Sequence, residues 1–171
     1  RAEQPKPGPV PEVVVPDVET FEVGKGVTVH LVERKSLPVV AMSMVFPIGV
    51  ASDSPKKPGV RSLCTSLMGE GTKSMDKAAF EAAQADLGAS VGTFATMEMS
   101  GVKVRALKRN LAPTLDWMME MLQKPGLRRG DFQRLKKARQ TGITQAKAQP
   151  LRVAGRLFPH FIYGDKHPRG Q

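Results

Sequence analysis

The hydrophobic period changes several times along this chain of 171 residues, and the order of the changes restricts the fold more than any other feature. Segments with every second residue apolar are typical of strands, whereas apolar residues at i, i+3, i+4 and i+7 are typical of helices. Three strand-like segments precede two helix-like ones, and two further strands precede the remaining helices. This order predicts an α+β fold, with helix pairs packed on a mostly antiparallel sheet.

The strand-like segments lie at 20–23, 27–32, 39–46, 90–95 and 97–107. Gly24-Lys25-Gly26 separates the first two, and the freedom of glycine to take positive φ suits a hairpin turn. Because apolar residues fall on both faces of 39–46, we predict that this segment is a central strand.

The helix-like segments begin at Val60, where apolar residues recur with helical spacing as far as Met68. Ser74 and Asn110 are predicted to cap the second and third helices. A long helix is predicted over 129–148, and its inward residues are Phe132, Leu135, Ala138 and Ile143. A last helix over 151–161 is predicted to be broken or kinked at Pro159.

Residues 1–18 are rich in proline and polar residues, which predicts an extended tail or linker before a domain at 19–171. No apolar run is long enough for a transmembrane helix. A tether behind a signal or a lipid anchor is one interpretation of this tail, and the proline-rich start favours the bacterial periplasm or cell envelope as the location.

The net charge of +10 lies entirely in residues 124–171. Within this region Arg129, Arg134, Lys136 and Lys137 are candidates for binding an acidic peptide or an acidic partner. A solvated helix face explains the same charges. Nucleic acid is disfavoured, because aromatic residues make up 5% of the chain and no nucleic-acid motif is present.

The residues of the chain offer little for metal or nucleophilic chemistry. A single cysteine excludes an internal disulfide, and Cys64 on the apolar stripe of the first helix is predicted to be buried and inert. His30, His160 and His167 are scattered along the chain and do not predict a metal site. No Walker-type or dinucleotide loop is present, so no cofactor is predicted.

One ordered set of short motifs resembles the pitrilysin/insulinase (inverzincin) family of zinc metallopeptidases. The stretch 59–72 has the glycine, helix and Gly-Thr frame that surrounds H-x-x-E-H in this family. Further resemblances follow in order at 87–90, 110–111, 124–125, 149–150 and 163–168. The resemblance covers almost everything after the tail, and it implies the same α+β fold.

The metal motif itself is absent from this frame. The two histidine positions fall on Ser62 and Ser66, and the position of the glutamate base falls on Thr65. The third ligand of active members is a glutamate on the later long helix, and residues 132–164 contain no Asp or Glu. The resemblance therefore implies a non-catalytic homologue without bound metal.

Family members work as paired homologous halves around a chamber, and often only one half carries zinc. The resemblance implies that this chain is a zinc-less domain, shortened at its C-terminal end. Its expected role is to pair with a zinc-bearing homologue and help form the chamber that binds peptide. The alternative is a structural assembly subunit of a larger envelope or membrane complex, with no role in proteolysis.

Overall fold

The computed structural model describes Gly8 and residues 14–170, and these divide into two compact units between Leu37 and Pro38. Most of the tail predicted at 1–18 lies outside the described residues. Residues 14–18 have no regular secondary structure, and they are exposed. None of the helices in the described part of the chain is long and apolar enough to span a bilayer.

The first unit contains a β-hairpin. Strands β1 (Glu19–Val23) and β2 (Val27–Leu31) pair antiparallel, as predicted. Gly24 and Gly26 in the turn have φ values of 63° and 84°, which a side chain with a Cβ rarely adopts.

The second unit is built on a three-stranded antiparallel sheet. Its strands are β3 (Val39–Phe46), β4 (Ser90–Ala95) and β5 (Ser100–Leu107), in the order β3-β5-β4. The prediction that 39–46 is a central strand is wrong for this sheet, where β5 is central. Alternate residues of β3 (Ala41, Ser43 and Val45) are exposed, so the apolar character of this strand did not reflect burial on both faces.

Five helices complete the second unit, in the described part of the chain: α1 (Val60–Met68), α2 (Lys77–Asp86), α3 (Leu111–Gln123), α4 (Arg129–Lys147) and α5 (Pro150–Tyr163). The predicted α+β class with an antiparallel sheet is confirmed. Helix α5 continues through Pro159, so the helix is not broken there, and the alternative of a kink stays a prediction. The proline lacks an N–H and removes one helix hydrogen bond, but the neighbouring turns are kept.

The hydrophobic core lies between one face of the sheet and the helices. Buried residues of this core are Phe80, Val91, Val102, Val104, Met118 and Met121. The ring of Trp117 packs edge-on against Phe80 with centroids 6.4 Å apart. Burial of six such side chains contributes about 1.5–3 kcal/mol each, so this cluster is the main source of stability for the unit.

The two predicted helix caps have different outcomes. The prediction of Ser74 is wrong, because the N-cap of α2 is Asp76, whose carboxylate accepts from the backbone N–H of Ala79 at 2.9 Å. Ser74 instead donates to Glu120 on α3. Asn110 occupies the N-cap position of α3 as predicted, but its side chain makes no capping hydrogen bond, and its amide donates to the carbonyl of Leu87 at 2.8 Å.

Helix α4 is less buried than its pattern predicted. Phe132 and Leu135 are half-buried, but Ala138 and Ile143 are exposed. The first half of this helix therefore packs against the rest of the unit, while its second half contacts α5.

Candidate functional site

The start of helix α1 is held by a carboxylate from the preceding loop. Gly59 at the N-cap has a φ of 84° and no side chain to cap the helix. Asp53 accepts from the backbone N–H groups of Gly59 and Arg61, at 2.8 and 3.2 Å, and also forms an ion pair with the Arg61 guanidinium at 2.8 Å. These bonds satisfy N–H groups that a helix start leaves open, and they fix where α1 begins.

The three hydroxyl residues at the motif positions line one small cavity. Ser62, Thr65 and Ser66 face the end of strand β4, where Thr93, Phe94 and Ala95 complete the lining. The cavity has a volume of about 130 Å³. The helical spacing therefore places these side chains together on one side of α1.

Each of the three hydroxyls donates its proton to the backbone of α1. Ser62 donates to the carbonyl of Gly59 at 3.2 Å, Thr65 to that of Arg61 at 2.7 Å, and Ser66 to that of Ser62 at 2.8 Å. Across the cavity, Thr93 donates to the carbonyl of Thr65 at 2.7 Å. The cavity thus presents hydroxyl oxygens whose hydrogens are already used, so it can accept hydrogen bonds but offers no base.

These residues do not fit a catalytic zinc ion. Zinc requires imidazole, thiolate or carboxylate ligands, and α1 offers neutral hydroxyls at all three motif positions. Helix α4 cannot supply a carboxylate from its interior, because 132–164 contains none. Within residues 14–170, no group of three His, Cys, Asp or Glu side chains is close enough to hold a metal.

Arginines of α4 link this helix to both ends of α1. Arg134 donates to the carboxylate of Glu70, which follows α1 and is only 7% exposed. Arg139 donates to the carbonyl of Gly59 at 3.0 Å, at the start of α1. Lys77 forms a second ion pair with Glu70 at 3.2 Å. The orientation of α1 against α4 is therefore set by hydrogen bonds and ion pairs that the sequence did not reveal.

The four basic candidates of α4 differ in what surrounds them. Arg134 is already paired with Glu70 and with Asp131, so its charge is satisfied within the chain. Arg129, Lys136 and Lys137 are exposed. Binding of a peptide or partner by these three residues stays a prediction, and Arg134 is better explained as a structural residue.

The prediction of a buried thiol is wrong, because Cys64 is exposed. It lies beside Val60, which is 52% exposed, on the outer side of α1. The apolar stripe of this helix is therefore wider than the surface that packs on the rest of the unit.

The histidines make separate local contacts. Within the described residues, His30 pairs with Thr20 at 3.0 Å, His160 contacts the carbonyl of Gly170 at 2.8 Å, and His167 stacks on Tyr163. None of these contacts brings two histidines together.

Strand β4 is an edge of the sheet next to the cavity. The N–H of Val91 donates to the Gln84 side chain at 2.5 Å, so it points away from the neighbouring strand β5. Backbone groups alternate in direction along an antiparallel ladder, and those of Thr93 and Ala95 therefore point the same way as those of Val91. The N–H of Val91 is already bonded to Gln84, so an extended peptide can add as a further strand at the outward backbone groups of Thr93 and Ala95.

A family sequence profile and two solved structures are similar to this chain, and they point to the same family fold. The sequence profile of the insulinase family (peptidase family M16) matches residues 28–165. A Pseudomonas fluorescens structure described as a peptidase M16 inactive domain superposes with a TM-score of 0.83 and 27% identity, over 90% of this chain and 37% of that one. A Helicobacter pylori structure described as a protease superposes with a TM-score of 0.73 and 16% identity, over 91% of this chain and 38% of that one.

The chain thus spans well under half the length of both solved structures. No curated protein is significantly similar to it in sequence. The family profile covers most of the chain, including the helix with Ser62, Thr65 and Ser66 at the motif positions. On this evidence, the chain belongs to the insulinase family of peptidases, family M16.

Proposed function

We propose that this chain is a non-catalytic peptidase-family domain that pairs with a zinc-bearing homologue and helps form the chamber that binds peptide. The observation that carries the proposal is the state of α1, where three hydroxyls occupy the motif positions and donate their protons to the helix backbone. A side chain in this state neither holds zinc nor removes a proton from water. The chain keeps the fold of the family without the residues that bind zinc, and this favours a role in binding peptide and a partner.

The edge of β4 supports a role in binding peptide. Its outward backbone groups lie beside the cavity formed by Ser62, Thr65 and Ser66. Backbone pairing gives affinity without strict sequence requirements, which suits a chamber that holds varied peptides. The acceptor oxygens of the cavity can then bind polar groups of the peptide.

The apolar surface of α5 supports a pairing role. Several of its large apolar side chains are strongly exposed: Leu151 (86%), Phe158 (67%), Phe161 (80%) and Ile162 (58%). Large exposed apolar side chains in this number on one helix indicate a surface that packs against another protein surface. Arg152 and Arg156 on the same helix add positive charge beside it.

The experiment is reconstitution with a zinc-bearing homologue. The protein in its full reading frame is co-expressed with such a homologue, and hydrolysis of a fluorogenic peptide is measured for the complex and for the homologue alone. We expect a stable complex whose hydrolysis depends on both chains. Full activity of the homologue alone, with the complex still formed, would favour the alternative of a structural assembly subunit.

A matched variant separates assembly from peptide binding. Phe158→Ser together with Phe161→Ser, on the exposed surface of α5, should abolish the complex and its activity together. Exposed Met119→Ser on α3, at 40% exposure, is the control and should leave both unchanged.

A further inference from the structure

The face of the sheet that points away from the helices carries two cations in its centre. Lys103 and Arg105 lie on β5, and both are exposed. Between them, Val104 points to the opposite face, where it is 2% exposed in the core. The alternation of the strand therefore places the two side chains on the same open face, and their Cα atoms are about 6.8 Å apart along the strand.

Small residues flank both cations. Arg105 lies between Ala41 of β3 and Ser90 of β4 in the strand register. Lys103 lies between Ser43 and Gly92 in the same way. Since none of these neighbours has a long side chain, a ligand can reach the cations from above the sheet.

No carboxylate neutralises these cations within the described residues. The strand positions on this face are occupied by apolar, small or cationic side chains. The ion pairs among residues 14–170 include neither Lys103 nor Arg105. Their charge is therefore available to a ligand from outside the chain.

Each cation has a neighbouring feature that favours binding of a carboxylate. The ammonium of Lys103 lies 4.9 Å from the centroid of the Phe94 ring, and this cation–π contact restricts its position over the sheet. Arg105 lines a cavity of about 310 Å³ at the end of the sheet, together with Gly88, Ala89 and Ser90. A carboxylate in this cavity can accept two hydrogen bonds from the guanidinium, while the Ser90 hydroxyl adds a third donor.

We propose that the open face of this sheet, centred on Lys103 and Arg105, binds an acidic peptide segment in an extended conformation. Alternate residues of an extended peptide are about 6.6–6.8 Å apart, which matches the spacing of Lys103 and Arg105 along the backbone of β5. Carboxylates at alternate positions would therefore meet one cation each. This face is opposite to the one next to the cavity of Ser62, Thr65 and Ser66. The inference rests on the proposed role in binding peptide and adds a second surface, together with the class of peptide that it prefers.

Nucleic acid fits this face less well. Binding of single strands combines a long basic groove with aromatic side chains on which bases stack. Here Phe94 is the aromatic residue on the strand face, and its ring lies beneath Lys103. Two cations also span a shorter distance than several consecutive phosphates require.

The test measures binding to the chain alone, so it is independent of any catalytic partner. A fluorescent peptide with glutamate at alternate positions is titrated with protein, and its anisotropy is compared with that of a peptide with glutamine at the same positions. We expect the glutamate peptide to bind at least about tenfold more tightly at low salt, with the difference shrinking as salt is added.

Variants locate the site. Lys103→Gln with Arg105→Gln should weaken binding of the glutamate peptide about tenfold and leave the glutamine peptide unchanged. Lys56→Gln with Lys57→Gln removes the same charge from an exposed loop and should have little effect. Thermal unfolding confirms that both double variants are folded.

Three results would overturn the inference: equal binding of the two peptides, equal loss of affinity in the two double variants, or displacement of the glutamate peptide by an oligonucleotide at equal charge concentration. Equal binding of both peptides would contradict the acidic preference while supporting the proposed peptide-binding function, so the two failures are distinguishable.

Discussion

The guanidinium of Arg134 on α4 donates to the carboxylate of Glu70, which is only 7% exposed and directly follows α1. By the family resemblance, the zinc ligands of active members lie on the helices that correspond to α1 and α4, so a metal ion connects them. Here the connection is an ion pair at one end of α1 and a hydrogen bond from Arg139 to Gly59 at the other. The relative position of the helices is thus kept without any metal ligand.

The first prediction concerns this ion pair. Arg134→Met should lower the free energy of unfolding, because it leaves a nearly buried carboxylate with Lys77 as its remaining partner. The loss should be smaller than for a fully buried pair, because Arg134 is 54% exposed and its charge is partly screened.

Urea denaturation provides the measurement. Lys137→Met removes an exposed cation from the same helix and is the matched control, with an expected change of about 0.5 kcal/mol or less. Equal destabilisation by the two substitutions would show that the Glu70 pair contributes nothing to stability.

The second prediction concerns the start of α1. Asp53→Ala should lower the free energy of unfolding by about 1–2 kcal/mol, because the N–H groups of Gly59 and Arg61 lose their acceptor. Asp53→Asn keeps one acceptor oxygen and should restore part of the loss. If the alanine variant is as stable as the unsubstituted protein, Asp53 does not stabilise the start of α1.

The third prediction concerns pH. The hydrogen bond from the Ser74 hydroxyl, at 2.5 Å, lowers the pKa of Glu120 below its ordinary value, and Thr72 acts in the same direction. A carboxyl with a depressed pKa in the folded state stabilises that state above its unfolded pKa. This contribution is lost as pH falls through the folded pKa.

Glu120→Gln should therefore destabilise the protein most at neutral pH, and the difference should shrink in acid. Ser74→Ala should raise the pKa of Glu120, which a carbon-detected NMR titration can follow. A pKa of Glu120 that does not change in the Ser74 variant would contradict the assignment of this hydrogen bond as the main cause.

The fourth prediction concerns a variant in which the zinc-binding motif is restored on α1. The triple variant with Ser62→His, Thr65→Glu and Ser66→His has two imidazoles at i and i+4, which can grip one zinc ion. It should gain zinc affinity over the unsubstituted protein, but it should not hydrolyse peptide, because α4 supplies no third carboxylate ligand. Isothermal titration with zinc and a fluorogenic peptide assay test the two parts.

Single-histidine variants are the controls for this prediction. Ser62→His alone and Ser66→His alone should bind zinc more weakly than the triple variant. Efficient, chelator-sensitive hydrolysis by the triple variant would show that two histidines and one glutamate are enough in this fold, against our account.

Much of the fold follows from the spacing of apolar residues. The strands and α1 were predicted within a few residues. The alternation is clearest in β5, where Val102, Val104 and Ala106 are buried while the residues between them are exposed. The predictions that were wrong concern the ends of helices and the positions of strands in the sheet. Asp76 rather than Ser74 caps α2, because the helix begins later than its first polar residue indicated. The edge position of β3 depends on pairing with β5, which is not encoded in the strand's own pattern.

The candidate site was predictable only in part. A helical period of 3.6 residues places Ser62, Thr65 and Ser66 on one side of α1, and the structure brings them to one cavity. The Glu70 pair with Arg134 joins residues 64 positions apart, and no local pattern predicts such a contact. The open cations Lys103 and Arg105 could have been found from strand alternation, since both fall opposite the core residues of β5.

The most direct test of the central claim is the zinc content and intrinsic activity of the purified chain. After incubation with excess zinc and gel filtration, elemental analysis should find far less than one zinc per chain, and fluorogenic peptides should not be cleaved. Retention of one zinc per chain, together with peptide cleavage that a chelator stops, would contradict the account.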